Sequence, residues 1–187
     1  MANVDAPKGF WPIRSIAGGE IRTISRFVSS NTGTVLYLGD LVSAESTGNI
    51  EAAAANDGVI VTGVFAGCKY TDADGQIHYS DVLPATKTNF TNMEAFMWEA
   101  NNYVFGVQAS TGADPAVTDT WATANHAAGA GDSTRKLSGH ELDSTDIGSG
   151  LQLRILGKVD RPDNAWGTHV DLEVLINENI YKDTASV

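Results

Sequence analysis

The C-terminal segment "THVDLEVLINENIY" (168–181) places Val170, Leu172, Val174 and Ile176 at every second position. That period puts four apolar side chains on one face of an extended strand, and a helix would scatter them. "LQLRILGKVD" repeats the pattern with Leu151, Leu153 and Ile155. Gly, Asn, Asp and Ser cluster about every ten residues along most of the chain, with β-branched runs between them. Strands of that length with turn signals at that spacing describe an all-β domain. The expected architecture is one barrel- or sandwich-like β domain.

The remaining segments fit this class. "FWPIRSI" and "IRTISRFV" read as two early extended segments with "AGGE" as the turn. Pro12 cannot donate to a ladder, so the first belongs at an edge or in an arm. In "TVLYLGDLVSA", Gly39-Asp40 splits two short strands. "IEAAAANDG" holds helix formers, but Asn56-Asp57-Gly58 closes it as a turn. "GVIVTGVFAGCKY" is the most apolar run and is expected at the centre of the core. In "NMEAFMWEANNYVFGVQAS", Phe96, Trp98, Tyr103, Phe105 and Val107 alternate, which gives two strands with "ANN" as the turn. Residues 110–150 are rich in Gly, Ala, Ser, Thr and Asp and have little apolar periodicity. They read as one long loop. The expected division is an extended N-terminal arm over 1–20 and a β domain over 21–187, with the long loop near 110–150.

Composition sets further bounds. The chain has 187 residues, 42% hydrophobic and 19% charged, which is ordinary globular material. No apolar run reaches the roughly 20 residues that a membrane-spanning helix needs. "MANVDAPKGFWPIRS" lacks the apolar stretch of a secretory signal. The lone Cys68 excludes an internal disulfide and fits a reducing compartment. It is expected as a small packed residue. The net charge of −11 is uneven. Residues 1–38 hold four basic and two acidic residues, a net +2. The rest holds eight basic and 21 acidic residues, a net −13. An acidic body argues against direct nucleic-acid or anionic-membrane binding.

Motifs for chemistry fail on inspection. "YTDADGQIHYSD" sets Asp72, Asp74 and Gly75 at calcium-loop spacing, but Tyr70 stands where the first carboxylate should be, and the flanks read as strands. Asp-Gly between strands is a hairpin turn instead. No phosphate loop or nucleophile elbow occurs, and "GAGDST" has neither a preceding strand nor a third glycine. "GHELD" lacks the second histidine of a zinc motif, with Ser144 in its place. His78, His126, His140 and His169 are scattered, so only the fold could assemble a metal site from them. No catalytic set, cofactor or metal is expected, and the chain reads as a binding or structural module. Trp98 is expected in the core. Trp11, Trp121 and Trp166 fall in arm or loop contexts, where aromatics serve partner surfaces or local packing.

The opening "APKGFWPIRSIAGG" resembles the start of a family of tailed-bacteriophage capsid cement, or decoration, proteins. Further blocks of resemblance are "LYLGDLV", "GVIVTGVFAGCKY", "YVFGVQAS" and "HELDSTDIGSGLQLRILGKVDRPDNAWGTHVDLEVLINENIY". The resemblance implies a non-enzymatic, β-rich protein made in the bacterial cytoplasm and carried on the virion exterior. It implies binding to the major capsid protein, clamping of neighbouring capsomers in the expanded, DNA-filled head, and a symmetric homo-oligomer, a trimer or alternatively a dimer. Such a protein stabilises the assembled lattice by binding it and not the free subunit. On that reading the arm residues Phe10, Trp11, Pro12 and Arg14 are the expected capsid contacts, with Trp121 and Trp166 as further interface aromatics. The same Phe10 and Trp11 could equally cover the chain's own barrel. The alternative class is a carbohydrate-binding or glycan-cleaving β-sandwich using exposed tryptophans, or a tail or head-fibre module.

Overall fold

A computed structural model describes residues 3–28, 33–55, 59–87 and 89–182. The chain is all-β. The strands are β1 (Trp11–Ser15), β2 (Ile24–Phe27), β3 (Leu36–Tyr37), β4 (Leu41–Ala44), β5 (Ile50–Ala52), β6 (Val61–Thr71), β7 (Ile77–Ser80), β8 (Val82–Leu83), β9 (Thr91–Glu99), β10 (Tyr103–Gln108), β11 (Thr123–Ala127), β12 (Glu141–Gly148), β13 (Leu153–Lys158) and β14 (Asp171–Ile176). A single 3-10 turn, Val117–Asp119, is the one helical element among the described residues.

The strands form three antiparallel sheets. The first runs β1-β10-β14-β13-β11-β12. The second runs β2-β9-β6-β4-β5, with β7 also on β6, and β3-β8 form a small third sheet. The arrangement is sandwich-like and does not close into a barrel. The apolar alternation read at β14 faces inward, with Val170, Leu172, Val174 and Ile176 all buried. They join Leu153, Ile155, Phe105 and Val107 in one core between the first two sheets. A second core, with Val42, Phe65, Cys68, Leu83 and Met97, lies on the other face of the second sheet. The apolar β6 therefore buries residues on both faces: Val64 belongs to the first core and Phe65 to the second.

Some adjacent strands do not pair. β9 and β10 are joined by the expected turn, yet β9 pairs with β6 in the second sheet and β10 with β14 in the first. β1 and β2 likewise separate, β1 to β10 and β2 to β9. Both connections cross the sandwich at one place. The Tyr103 hydroxyl donates to the carbonyl of Arg22 and accepts its N–H, both at 2.9 Å, and Ile16 N–H donates to Asn102. Pro12 sits on an edge strand, as its missing N–H requires. The expected turn at Asn56-Asp57-Gly58 lies outside the described residues.

Two expectations about domain organisation are corrected. Residues 3–20 are not a separate arm. Asn3 bonds Ala165 and Thr168, Gln108 bonds Val4 and Ala6, and β1 is a strand of the first sheet. Residues 110–150 are not one long loop, because they supply β11 and β12. Their buried positions mix polar side chains with the core residues Ala124 and Leu142, so apolar periodicity is weak there. Thr123, Asn125, His126 and Ser144 are buried and hydrogen-bonded. The small residues reflect close backbone contact: a side chain at Gly129 would run into the carbonyl of Gly139.

Candidate interaction surface

Part of the second sheet lies outside the first core. Along β9, Glu94, Phe96 and Trp98 share one face by the period of two. Trp98 packs on the first core, while Glu94 and Phe96 reach past it and are half-buried. Register extends this uncovered face sideways. Phe27 of β2 stands opposite Glu94, Glu94 opposite Lys69 of β6, and Lys69 opposite Tyr79 of β7. Directly opposed residues project to the same side of a sheet. Four strands thus present the row Phe27, Glu94, Lys69, Tyr79. Lys69 and Glu94 pair at 3.7 Å. Phe27 is 69% exposed, Tyr79 72% and Ile77 60%.

Gly67 faces Phe96 in the next row and contributes no side chain. Tyr79 and Phe96 stack there nearly parallel, with centroids 6.5 Å apart. A recess of about 310 Å³ opens beside them, bounded by Gly67, Ser80, Asp81 and Lys136. The result is a flat aromatic face with a neutralised ion pair at its centre. It buries large apolar area if a partner covers it, and charge does not oppose that burial. The hairpin that displays Tyr79 is held by the Asp-Gly turn expected at residues 72–75. Asp72 Oδ1 accepts the N–H groups of Asp74 and Gln76, and Oδ2 lies 2.6 Å from His78 Nε2. The His78 contact, then those N–H groups, hold the Asp72 carboxyl below its usual range.

The residues singled out from the sequence lie elsewhere. Phe10 is 1% exposed and belongs to the first core, so it is not available to a partner in this fold. Trp11 is half-buried, with its ring over Gly106 and Lys8 Nζ 3.8 Å from its centroid. Pro12 is half-buried on β1, and Arg14 is exposed but paired with Glu173 at 2.5 Å. Trp166 packs partly on the first core. Trp121 is 66% exposed at a φ of 75°. That strained backbone is clamped: its N–H donates to Ile155 and its carbonyl accepts from Arg154. The fold brings none of these six to the Phe27–Tyr79 face. Sequence pattern overlooked that face because "QIHYSD" reads as the far side of a turn. Only the β2-β9-β6-β7 register shows its aromatic residues aligned.

The histidines divide three ways. His78 belongs to the hairpin. His126 and His140 stack inside the molecule, centroids 5.1 Å apart. His140 Nδ1 accepts the Leu41 N–H, so its proton sits on Nε2, 3.6 Å from Asp40. His126 Nδ1 donates to Gln152 at 2.8 Å. Burial pushes both imidazoles down to about 4, with the neighbouring ring adding to the effect at His126. Burial also raises Asp40. His169 lies apart, near the N-terminal segment. Cys68 is a buried thiol, pushed up to about 12 by burial and then by Asp81.

Comparison of the chain with protein-family models, curated proteins and solved structures finds no match.

Proposed function

We propose that the chain is a structural virion protein that binds the outer surface of a phage capsid and cements neighbouring capsomers. The observation that carries this reading is the exposed apolar face of Phe27, Ile77 and Tyr79, with the half-buried Phe96 beside them. A rigid four-stranded platform loses little conformational freedom on docking, which suits a clamp across a seam. The sequence blocks that resemble capsid decoration proteins supply the partner class, the major capsid protein. The contact differs from the one the sequence suggests: the sheet face replaces the N-terminal segment. A homotrimer is proposed, with a dimer as the alternative, and sedimentation showing only a 19.8 kDa species would count against both.

The test is co-sedimentation with expanded, undecorated capsids. The intact chain is expected to bind saturably, and Phe27→Ser with Tyr79→Ser to weaken binding about 30-fold or more, the scale of a lost aromatic anchor. No binding, or equal binding by the double variant, overturns the proposal. A carbohydrate-binding module is the second reading, favoured by the clamped, outward Trp121. Glycan-array binding that disappears with Trp121→Ala would select it.

A further inference from the structure

Three chain stretches far apart in sequence meet beside the N-terminal segment. Asp5 comes from that segment, Glu141 opens β12, and His169 precedes β14. One ligand atom from each lies within 4.8 Å of the others. Two of these side chains are left unfinished. Glu141 Oε1 and His169 Nδ1 are enclosed and find no hydrogen-bond partner. A buried polar atom without a partner is costly, and two at one spot call for a shared ligand. Burial, then the Asp5 charge, raises the Glu141 carboxyl, so a cation there would relieve both causes.

The surroundings orient the set. The Thr111 hydroxyl lies 3.5 Å from His169 Nε2, which leaves Nδ1 toward the carboxylates. Nδ1 is 3.8 Å from Asp5 Oδ1. The buried Gln108 holds both partners: its Nε2 donates to the carbonyls of Val4 and His169, and its Oε1 accepts the Ala6 N–H. Asp5 is therefore fixed on each side by one amide. His169 is held at a φ of 57°, an uncommon conformation for a side chain of its size.

We propose that Asp5, Glu141 and His169 form a divalent transition-metal site, best matched by Zn²⁺, which staples the N-terminal segment to the first sheet. One imidazole nitrogen selects against purely oxygen-seeking Mg²⁺ and Ca²⁺, and two carboxylates balance the charge of the ion. Tetrahedral zinc sets its ligand atoms about 3.4 Å apart at ordinary bond lengths. The exposed Asp5 side chain can close the remaining gap by rotating, and a fourth position stays with solvent. The site is independent of the capsid reading.

The test uses the full, tag-free chain with Zn²⁺, and with Co²⁺ as a coloured probe. One equivalent is expected to bind, to raise Tm by several degrees in a way EDTA reverses, and to give visible Co²⁺ absorption. Glu141→Gln and His169→Asn should each weaken binding at least tenfold. Asn is chosen because it tolerates positive φ. Asp5→Asn alters an exposed side chain, so its metal-free Tm should match the wild type while the metal-induced rise shrinks. His78→Ala removes the competing Asp72–His78 pair and should leave binding unchanged. No saturable binding at one equivalent overturns the proposal. Binding indifferent to Glu141→Gln and His169→Asn, or abolished by His78→Ala, does so too.

Discussion

Phe10 with Trp11, and Ile77 with Tyr79, look alike in sequence. Each pair sets large apolar groups beside turn residues. The fold treats them oppositely. Phe10 is sealed in the first core, while Ile77 and Tyr79 face solvent. The difference does not come from local pattern. It comes from whether another layer continues over that part of a sheet. β1 is held in the first sheet by pairing with β10, far along the chain, whereas β7 pairs with the last residues of β6 and adds no side chain to either core. Exposure of an aromatic is a property of the layers, and only partly of its neighbours in the chain.

Removing residues 1–14 gives the sharpest contrast. It deletes most of an edge strand and a core phenylalanine, so cooperative melting is expected to be lost. A truncated chain that melts like the intact one would restore the arm. Phe10→Ala is next, at about 3–5 kcal/mol, the usual cost of emptying a buried phenylalanine site, read from urea unfolding. Stability unchanged by that substitution would show that the pair is not buried.

Acid separates the interior from the overhang more finely. His126 and His140 titrate near 4 in the fold and near 6.5 when unfolded. The unfolded chain therefore takes up protons first, and stability falls as pH drops from about 6.5 toward 4. Both rings act in the same direction, so acid weakens the fold across that window. Burial raises Asp40, so that group acts in the opposite direction. His126→Gln with His140→Gln should flatten the pH dependence of urea midpoints between 6.5 and 4, even if the plateau is lower. An unflattened curve would place the titrating groups elsewhere. The smallest effects belong to the surface. Phe27→Ser with Tyr79→Ser should shift stability by under about 1 kcal/mol, because neither side chain is enclosed. Arg14→Ala should cost under about 1 kcal/mol, with the cost shrinking in high salt, since Arg14 itself is exposed to solvent.

The all-β class, and strands β10, β13 and β14, were legible because period-two apolar residues carry them, and β6 because it is the most apolar run. β11 and β12 were not, because the buried polar residues Thr123, Asn125, His126 and Ser144 interrupt the apolar pattern, leaving only Ala124 and Leu142 to mark the core side. The Asp72–Gly75 turn was legible from its chemistry. The crossings between sheets after β1 and β9 were not, since turn residues look the same whether the chain reverses or changes layer. Of the candidate surface, single residues such as Phe96 were visible. Their alignment with Phe27 and Tyr79 depends on register across four strands, which local sequence does not state.

Near Phe10 the chain makes a three-way junction. Phe10 N–H donates to Gly39, Ser138 N–H donates to Leu38, and Arg135 reaches the carbonyl of Pro7. Gly9 lies so close to Gly39 and Ser138 that a side chain would not fit. Residues 9, 39 and 138 must therefore be present together before this part closes. A ribosome adds roughly 5–20 residues per second, so Phe10 waits on the order of ten seconds for Ser138 to be made. It waits longer for the strands of its core after residue 150. Through that interval the newborn chain carries a bare phenylalanine beside an unpaired strand. Synthesis, more than the finished protein, is when this molecule is most exposed to sticking to its neighbours.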